Sequence, residues 1–430
     1  MRLHSGACLA SKNHRCVKVD GVHTVCTLNS EKWMQMARLK NFIVLMATIS
    51  LLGACGDQGK SASPPASVQV IAGDSSAVVS FPMDSNVEYW LFYAPSSALD
   101  ATNFNTLPGG KLVTNALSPQ VVGGLLNGTT YYFTINGRTD HGPGGSGTSL
   151  ISATPRAAGN TWNTGQLAAS GDLRGVAFGA AVVAVGANGT MFSTPDGITW
   201  TAINPIVASD LNAVFFGIGR YIAVGAGGVV LQSTDAAAWA QASSGTTEHL
   251  NAGASNGIVY VAVGANGVFI GSADGQSWAA GNAGTSRDLA GLAFGNGMWV
   301  AVGAGGTIVS SVDTSAWQVA ASQTTSDLKA ITYSAAAAMF VAVGAAGTIV
   351  TSADGVNWTA RAPISSATLT GVSFGSQFAA VGGDGLIFTS TDGATWQAAA
   401  SGTTSNLNAV AFGNFRFVAA GAAGTNLYAN

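Results

Sequence analysis

Charge is the scarcest property of this 430-residue chain: 17 Lys and Arg against 20 Asp and Glu make 9% charged residues and a net charge of −3. Ordinary globular proteins carry about a quarter. A chain so poor in charge and yet 47% apolar is not a disordered acidic or basic protein. Nor does it have the basic surplus that nucleic acid recruits. Leu, Glu, Lys and Arg are too few for a helical architecture. Cysteine stops early, at Cys8, Cys16, Cys26 and Cys55, so the chain beyond residue 55 holds no disulfide. Long apolar runs are also missing there. Gly, Ser, Thr or Asn interrupts each one, and none reaches the ~20 residues of a membrane-spanning helix. What abounds is glycine, 57 residues, with Ala, Ser, Thr and Val, the material of short strands and tight turns. The composition predicts an all-β protein.

The front of the chain reads differently from the rest. Cys8, Cys16 and Cys26 share a polar stretch with His4, His14 and His23. Their spacing matches no zinc pattern, so no metal site is expected. Residues 1–35 are expected to lie outside the mature protein, because Met36 opens a better start, MARLKNFIVLMATISLLGAC. Arg38 and Lys40 give it a positive head. Phe42 to Leu52 is an apolar or small-residue run too short to span a bilayer, and Leu52-Gly53-Ala54-Cys55 closes it. This segment resembles a bacterial lipoprotein signal peptide over 36–54 with its lipobox. The resemblance implies cleavage before Cys55, acylation of that cysteine and attachment to the cell envelope through lipid. Gly56 in place of Asp implies the outer membrane where the host has one. Residues 55–65, small and polar with Pro64-Pro65, are expected to be a flexible tether.

Residues 66–156 contain strand-like runs separated by turn signals, at Val68–Val70, Ala77–Phe81, Val87–Tyr93 and Tyr131–Ile135. Some 90 residues with this spacing suit a small β-sandwich. The run Leu125-Leu126-Asn127-Gly128-Thr129-Thr130-Tyr131 and the ending Ala153-Thr154-Pro155 resemble a fibronectin type III domain. That resemblance implies that the Tyr131 hydroxyl bonds to backbone a few residues upstream, and that the module is a spacer. Phe81 stands where the family usually has a core tryptophan.

Residues 160–430 repeat a single pattern. Leu173, Leu211, Leu250, Leu289, Leu328, Leu369 and Leu407 each open a strand, and a second strand ends at Gly186, Gly225, Gly264, Gly303, Gly344, Gly382 and Gly421. Ten residues after each of the first six glycines stands an aspartate: Asp196, Asp235, Asp274, Asp313, Asp354 and Asp392. Four residues later comes Trp200, Trp239, Trp278, Trp317, Trp358 or Trp396. Only the leucine-to-glycine distance varies, from 13 to 16 residues. A period of 38 to 41 residues holds four strands and their turns, which predicts four-stranded blades stacked radially. The seventh unit lacks its Asp turn and Trp, whereas Trp162 stands eleven residues before Leu173. The strand at 160–166 is therefore expected to complete the last blade and close a seven-bladed β-propeller. The turn Ser390-Thr391-Asp392-Gly393-Ala394-Thr395-Trp396 resembles a shortened Asp-box, and the whole repeat resembles the photosystem II stability/assembly factor family. Six copies of one turn residue imply architecture rather than six active sites.

Catalysis has little to work with here. Residues 160–430 hold eleven Asp, one Glu, one His, one Lys and five Arg. Neither the placed carboxylate pair of glycosidases nor an arginine cluster for a sialic acid can be read from them. No nucleophile, phosphate-loop or metal motif occurs, and no cofactor is expected. The expectation is a non-catalytic binding or assembly-scaffold protein of the envelope, with a glycan-binding or sialidase-like propeller as the alternative. Its protein or glycan partner cannot be named from the sequence. Charges cluster just before the leucine strands, and there Arg174, Glu248, His249, Arg287 and Lys329 do not recur between units. Groups that differ from blade to blade could give one face specificity, so these five are the candidate partner-binding residues.

Overall fold

The computed structural model describes residues 60–167 and 171–429, together with the backbone of one short antiparallel hairpin, Arg15–Val19 with His23–Thr27. The signal segment 36–54 and Cys55 lie outside the described residues. The stretch expected to be tether is partly structured. Ser61–Ala62 form an edge strand whose residues face Arg138 and Gly137, because the strand Tyr131–Arg138 offers unpaired backbone groups that a small, uncharged dipeptide can satisfy. Among the described residues, no helix is long and apolar enough to cross a membrane.

Residues 60–156 build two packed sheets. One holds Lys111–Val113, Glu88–Ala94, Tyr131–Arg138 and Ile151–Ala153, with Ser61–Ala62 added. The other holds Gln69–Gly73, Ser76–Ser80 and Gln120–Gly123. Alternation sends Tyr89, Leu91, Phe133 and Ile135 of the first sheet against Ala77, Val79 and Val122 of the second. Phe81 joins that core, edge-on to Tyr89 at 5.3 Å. The Leu126 N–H donates to the Tyr131 hydroxyl at 3.2 Å, which ties the corner before the longest strand.

From residue 163 onward the chain forms seven antiparallel sheets of four strands. The first is Leu173–Phe178, Val182–Gly186, Met191–Thr194 and Thr201–Ile203, in chain order. The last is built from both ends of the segment: Leu407–Gly413, Arg416–Gly421 and Asn426–Ala429, with Asn163–Thr164 paired to Leu427 and Tyr428. Each leucine strand packs against the leucine strand of the next sheet, and Leu407–Gly413 packs against Leu173–Phe178.

The second strands are the driest part, as in Val182–Gly186 and Tyr260–Gly264, where every residue is buried. The recurring glycine at their ends has a simple cause. A Cβ on Gly186 would lie 2.0 Å from the Asp172 carbonyl oxygen, and the other six glycines meet the same obstacle in their own units. Trp162 occupies the tryptophan position of the last sheet. Its indole N–H donates to the Gly159 carbonyl at 2.7 Å and its ring lies 6.1 Å from Phe417. Trp396 does the same with Gly393 and Phe378, at 3.1 and 6.2 Å.

Candidate functional site

Each four-stranded sheet presents two kinds of end. At one end lie the loops that lead into the leucine strands and the glycine turns after the second strands. At the other lie the variable turns and the Asp turns. We call these the leucine-loop face and the Asp-turn face.

On the Asp-turn face the aspartate side chains serve their own turns, although at Asp196 the last sheet also reaches in, Arg416 donating to its carbonyl. Asp354 Oδ1 accepts the amides of Val356 and Asn357 at 2.9 and 2.8 Å and the Ser352 hydroxyl at 3.0 Å. The Asn357 and Val356 donors hold the Asp354 carboxyl far below its ordinary value. At Asp274 and Asp392 equivalent amides lower it to about 2. A carboxylate fully engaged by its own turn is a structural clamp.

On the leucine-loop face the bonds run between sheets. The residue before each leucine uses its carbonyl inside its own sheet, as where Asp172 accepts from Ala187 at 2.9 Å. In every unit but the sixth, where Thr368 uses only its carbonyl, its side chain reaches the glycine turn of the preceding sheet. Asp210 accepts from the Asn188 amide, Asp288 from Asn266, Asp327 from Gly305 and Asn406 from Asp384, at 2.8 to 3.0 Å. Asp172 takes the Ala423 amide at 3.0 Å, so the last sheet meets the first by the bond used elsewhere.

The same register explains one of the five candidate residues. His249 stands in the aspartate position, and its Nδ1 accepts the Gly227 amide at 3.1 Å. Its singularity in sequence conceals a repeated architectural role, which corrects the argument that placed it among groups outside the repeat. The other four differ. Arg174 Nη1 bridges Asp210 Oδ2 at 2.9 Å and Asn212 Oδ1 at 3.0 Å, and Lys329 Nζ meets Asp327 Oδ2 at 3.1 Å. The carboxyls of Asp210 and Asp327 are lowered, first by the turn amides of Asn188 and Gly305 and then by these cations. Glu248 Oε2 accepts from Asn266 Nδ2 at 3.0 Å. Arg287 is exposed beside the Gly305 turn, close enough to Asp327 to help lower its carboxyl.

A belt of side chains just inside this face escapes a reading of the sequence. Asn212, Asn251 and Asn408 donate their amides to the carbonyls of Leu250, Leu289 and Leu173 of the next sheet, at 3.0, 2.9 and 2.7 Å, and Thr370 donates to Leu407. Arg174 and Lys329 occupy this same position, so at two sheets a cation replaces a belt residue. The recurrence of Asn one residue after the leucine was the available signal. Near Glu248 a shallow groove of about 600 Å³ runs along the sheet edge, lined by Gly228, Gln241, Ser243 and Thr246. Among the described residues no group of three or more His, Cys, Asp or Glu is placed to hold a metal ion.

The Asp-turn face is partly covered. At the sixth and seventh sheets its variable turns, Ser376-Gln377 and Asn414-Phe415, touch the two-sheet domain. The Ser376 amide donates to Asp74 Oδ2 at 3.2 Å and the Asp74 amide to the Phe415 carbonyl at 3.3 Å.

Residues 282–412 match the DUF6242 β-propeller domain family. Two solved structures align with 62% of the chain at 20% identity. One is YCF48 bound to D1 peptide, 94% of which is covered with a TM-score of 0.53. The other is YCF48 from Cyanidioschyzon merolae, 98% of which is covered with a TM-score of 0.52. The chain carries a β-propeller. It resembles the propeller of YCF48, a photosystem II assembly factor, and at this identity the likeness is one of fold. No curated protein matches the chain.

Proposed function

We propose that this chain is a non-catalytic, lipid-anchored scaffold of the cell envelope that captures a segment of a partner protein on the leucine-loop face of its propeller. In this reading the propeller has seven blades closed by its own N-terminal strand, and the domain before it is a fibronectin type III-like sandwich. The observation that carries the proposal is the distribution of charge. Arg174, Glu248, Arg287 and Lys329 all lie on the face that the sandwich leaves uncovered, whereas the box aspartates are used up inside their turns. Cations and an anion that differ between blades form a pattern a peptide of complementary charge can read. The structural neighbour solved with D1 peptide lends support, because it is a propeller of this type carrying a protein segment.

Capture of a partner from envelope extracts by the wild-type chain is expected to weaken in the variant Arg174→Ala, Glu248→Ala, Arg287→Ala, while the melting midpoint falls by only about 3 °C, the loss of exposed pairs such as Arg174 with Asp210. Capture that survives this variant but is lost with Arg220→Ala or Arg416→Ala, on the Asp-turn face, would assign binding to the wrong side. The anchor is tested separately. Palmitate should label the wild-type protein and not Cys55→Ser; label retained in the variant would refute acylation at Cys55. Only five residues separate Cys55 from the strand at Ser61, a reach of at most about 22 Å, so the anchor would hold the sandwich close to the bilayer.

A further inference from the structure

The variable turns of the propeller come in related forms, and one departs from its relatives where it meets the sandwich. In blades two and four the corner is Ile218-Gly219 and Asn296-Gly297, with positive φ at both residues and open space around each glycine. In blade seven the equivalent corner is Asn414-Phe415, and Phe415 holds a φ of 61° in the position its relatives give to glycine. A bulky side chain in the left-handed region is unfavourable unless its surroundings require it. Here they do. The Phe415 ring lies over Gly123 of the sandwich, so closely that a Cβ there would stand 2.9 Å from its tip. Gly73 lies on the other side of this seat, its missing Cβ 3.7 Å from the Phe415 carbonyl oxygen.

The contacts around the ring are polar and directional. Asp74, 2% exposed, receives the Ser376 amide on one oxygen and the Asn127 amide on the other. Gln377, 5% exposed, donates to the Ala158 carbonyl at 2.8 Å and to Asn160 Oδ1 at 2.9 Å, pinning the linker to blade six. The Arg156 amide donates to the Gly73 carbonyl at 3.2 Å.

From these contacts we infer that Phe415 is a latch that locks the sandwich onto blades six and seven, making sandwich and propeller one rigid unit. The sandwich is then a fixed stalk and not a loose spacer. Strand register gives the stalk its direction. Gly73, Ser76 and Gly123 form the rung that meets the propeller, and Tyr131, which bonds to Leu126, lies at the same end. Arg138, where Ser61 joins, lies at the other end of a strand about 25 Å long. The chain therefore enters the stalk at the end remote from the propeller, and the leucine-loop face points away from that point of entry.

Trypsin acting on the full chain tests the latch, because the bond after Arg156 lies in the linker that it holds. Wild type is expected to resist cleavage there. Phe415→Gly installs the residue used in blades two and four, so the turn itself should fold, and Gly123→Val displaces the ring from the other side. Both should be cut after Arg156 at least about tenfold faster, while the propeller fragment keeps its melting midpoint. Val121→Thr, on the same sheet face two residues from Gly123, should behave as wild type. Rapid cleavage of the wild type, unchanged rates in both variants, or equal acceleration in Val121→Thr would each overturn the inference. None of these readouts involves partner capture or acylation.

Discussion

The two faces of the propeller use one kind of hydrogen bond for opposite ends. On the Asp-turn face a carboxylate binds amides two and three residues along its own chain, as Asp274 does with Gln276 and Ser277. On the leucine-loop face a carboxylate binds an amide 22 residues back, in the neighbouring blade, as Asp288 does with Asn266. The first shapes a blade and the second joins blades. The difference explains why the Asp turn is kept with little variation, while the joining position accepts Asp, His or Asn and in one unit holds Thr368, which makes no such bond. A turn closed on itself needs two acceptor contacts from one short side chain, whereas a joint needs only one acceptor at the right distance.

In the proposed closed ring, the seam between the last sheet and the first should be the most sensitive place to break this scheme. Trp162 is 7% exposed and is the only tryptophan the last blade has. Trp162→Ala should cost about 3–5 kcal/mol, lowering the melting midpoint by about 10 °C. Deleting 160–166 should do more, exposing an unpaired strand edge and promoting aggregation. An unchanged midpoint after the deletion would mean that residues 160–166 do not close the ring.

A joint away from the seam should matter less. Asp288→Ala removes one exposed, charge-assisted bond between blades three and four, and about 1 kcal/mol is expected, or about 3 °C. Asp288→Asn should recover most of it, because blade seven already uses Asn406 there. Failure of Asn to rescue would show that the charge counts for more than the acceptor.

The smallest effect belongs to the self-contained turn. Asp274→Ala should lower the midpoint by about 2 °C at neutral pH. Its carboxyl is lowered from 3.8 to about 2 in the fold. The stabilisation is therefore complete above pH 4 and is lost as pH falls through 2. The gap between wild type and Asp274→Ala should close across that interval. A gap that persists below pH 2 would assign the effect to packing.

Much of this was legible because it repeats. Leucine, glycine, aspartate and tryptophan recur at fixed distances, and the incomplete seventh unit pointed to Trp162. The reason for the glycine was not legible, since the obstructing carbonyl belongs to a residue 14 to 17 positions away. His249 stands before its leucine as Asp288 and Asp327 do, but an imidazole does not resemble a carboxylate, and only the fold shows its Nδ1 taking the Gly227 amide. The Phe415 contact was out of reach altogether. It joins one turn of one blade to glycines some 290 to 340 residues earlier, and nothing periodic marks it.

The pairing of Asn163 with Tyr428 also sets a timetable. On the ribosome, chains grow at about 5–20 residues per second, so the strand at 163–164 emerges on the order of tens of seconds before its partner exists. Through that interval the intervening four-stranded sheets can assemble from local hairpins, but the Trp162 side chain lacks Phe417 and Asn163–Thr164 lack their partner strand. Pairing with Asn426–Ala429 supplies the missing cover, so whatever shields Trp162 before then must act until Tyr428 has emerged.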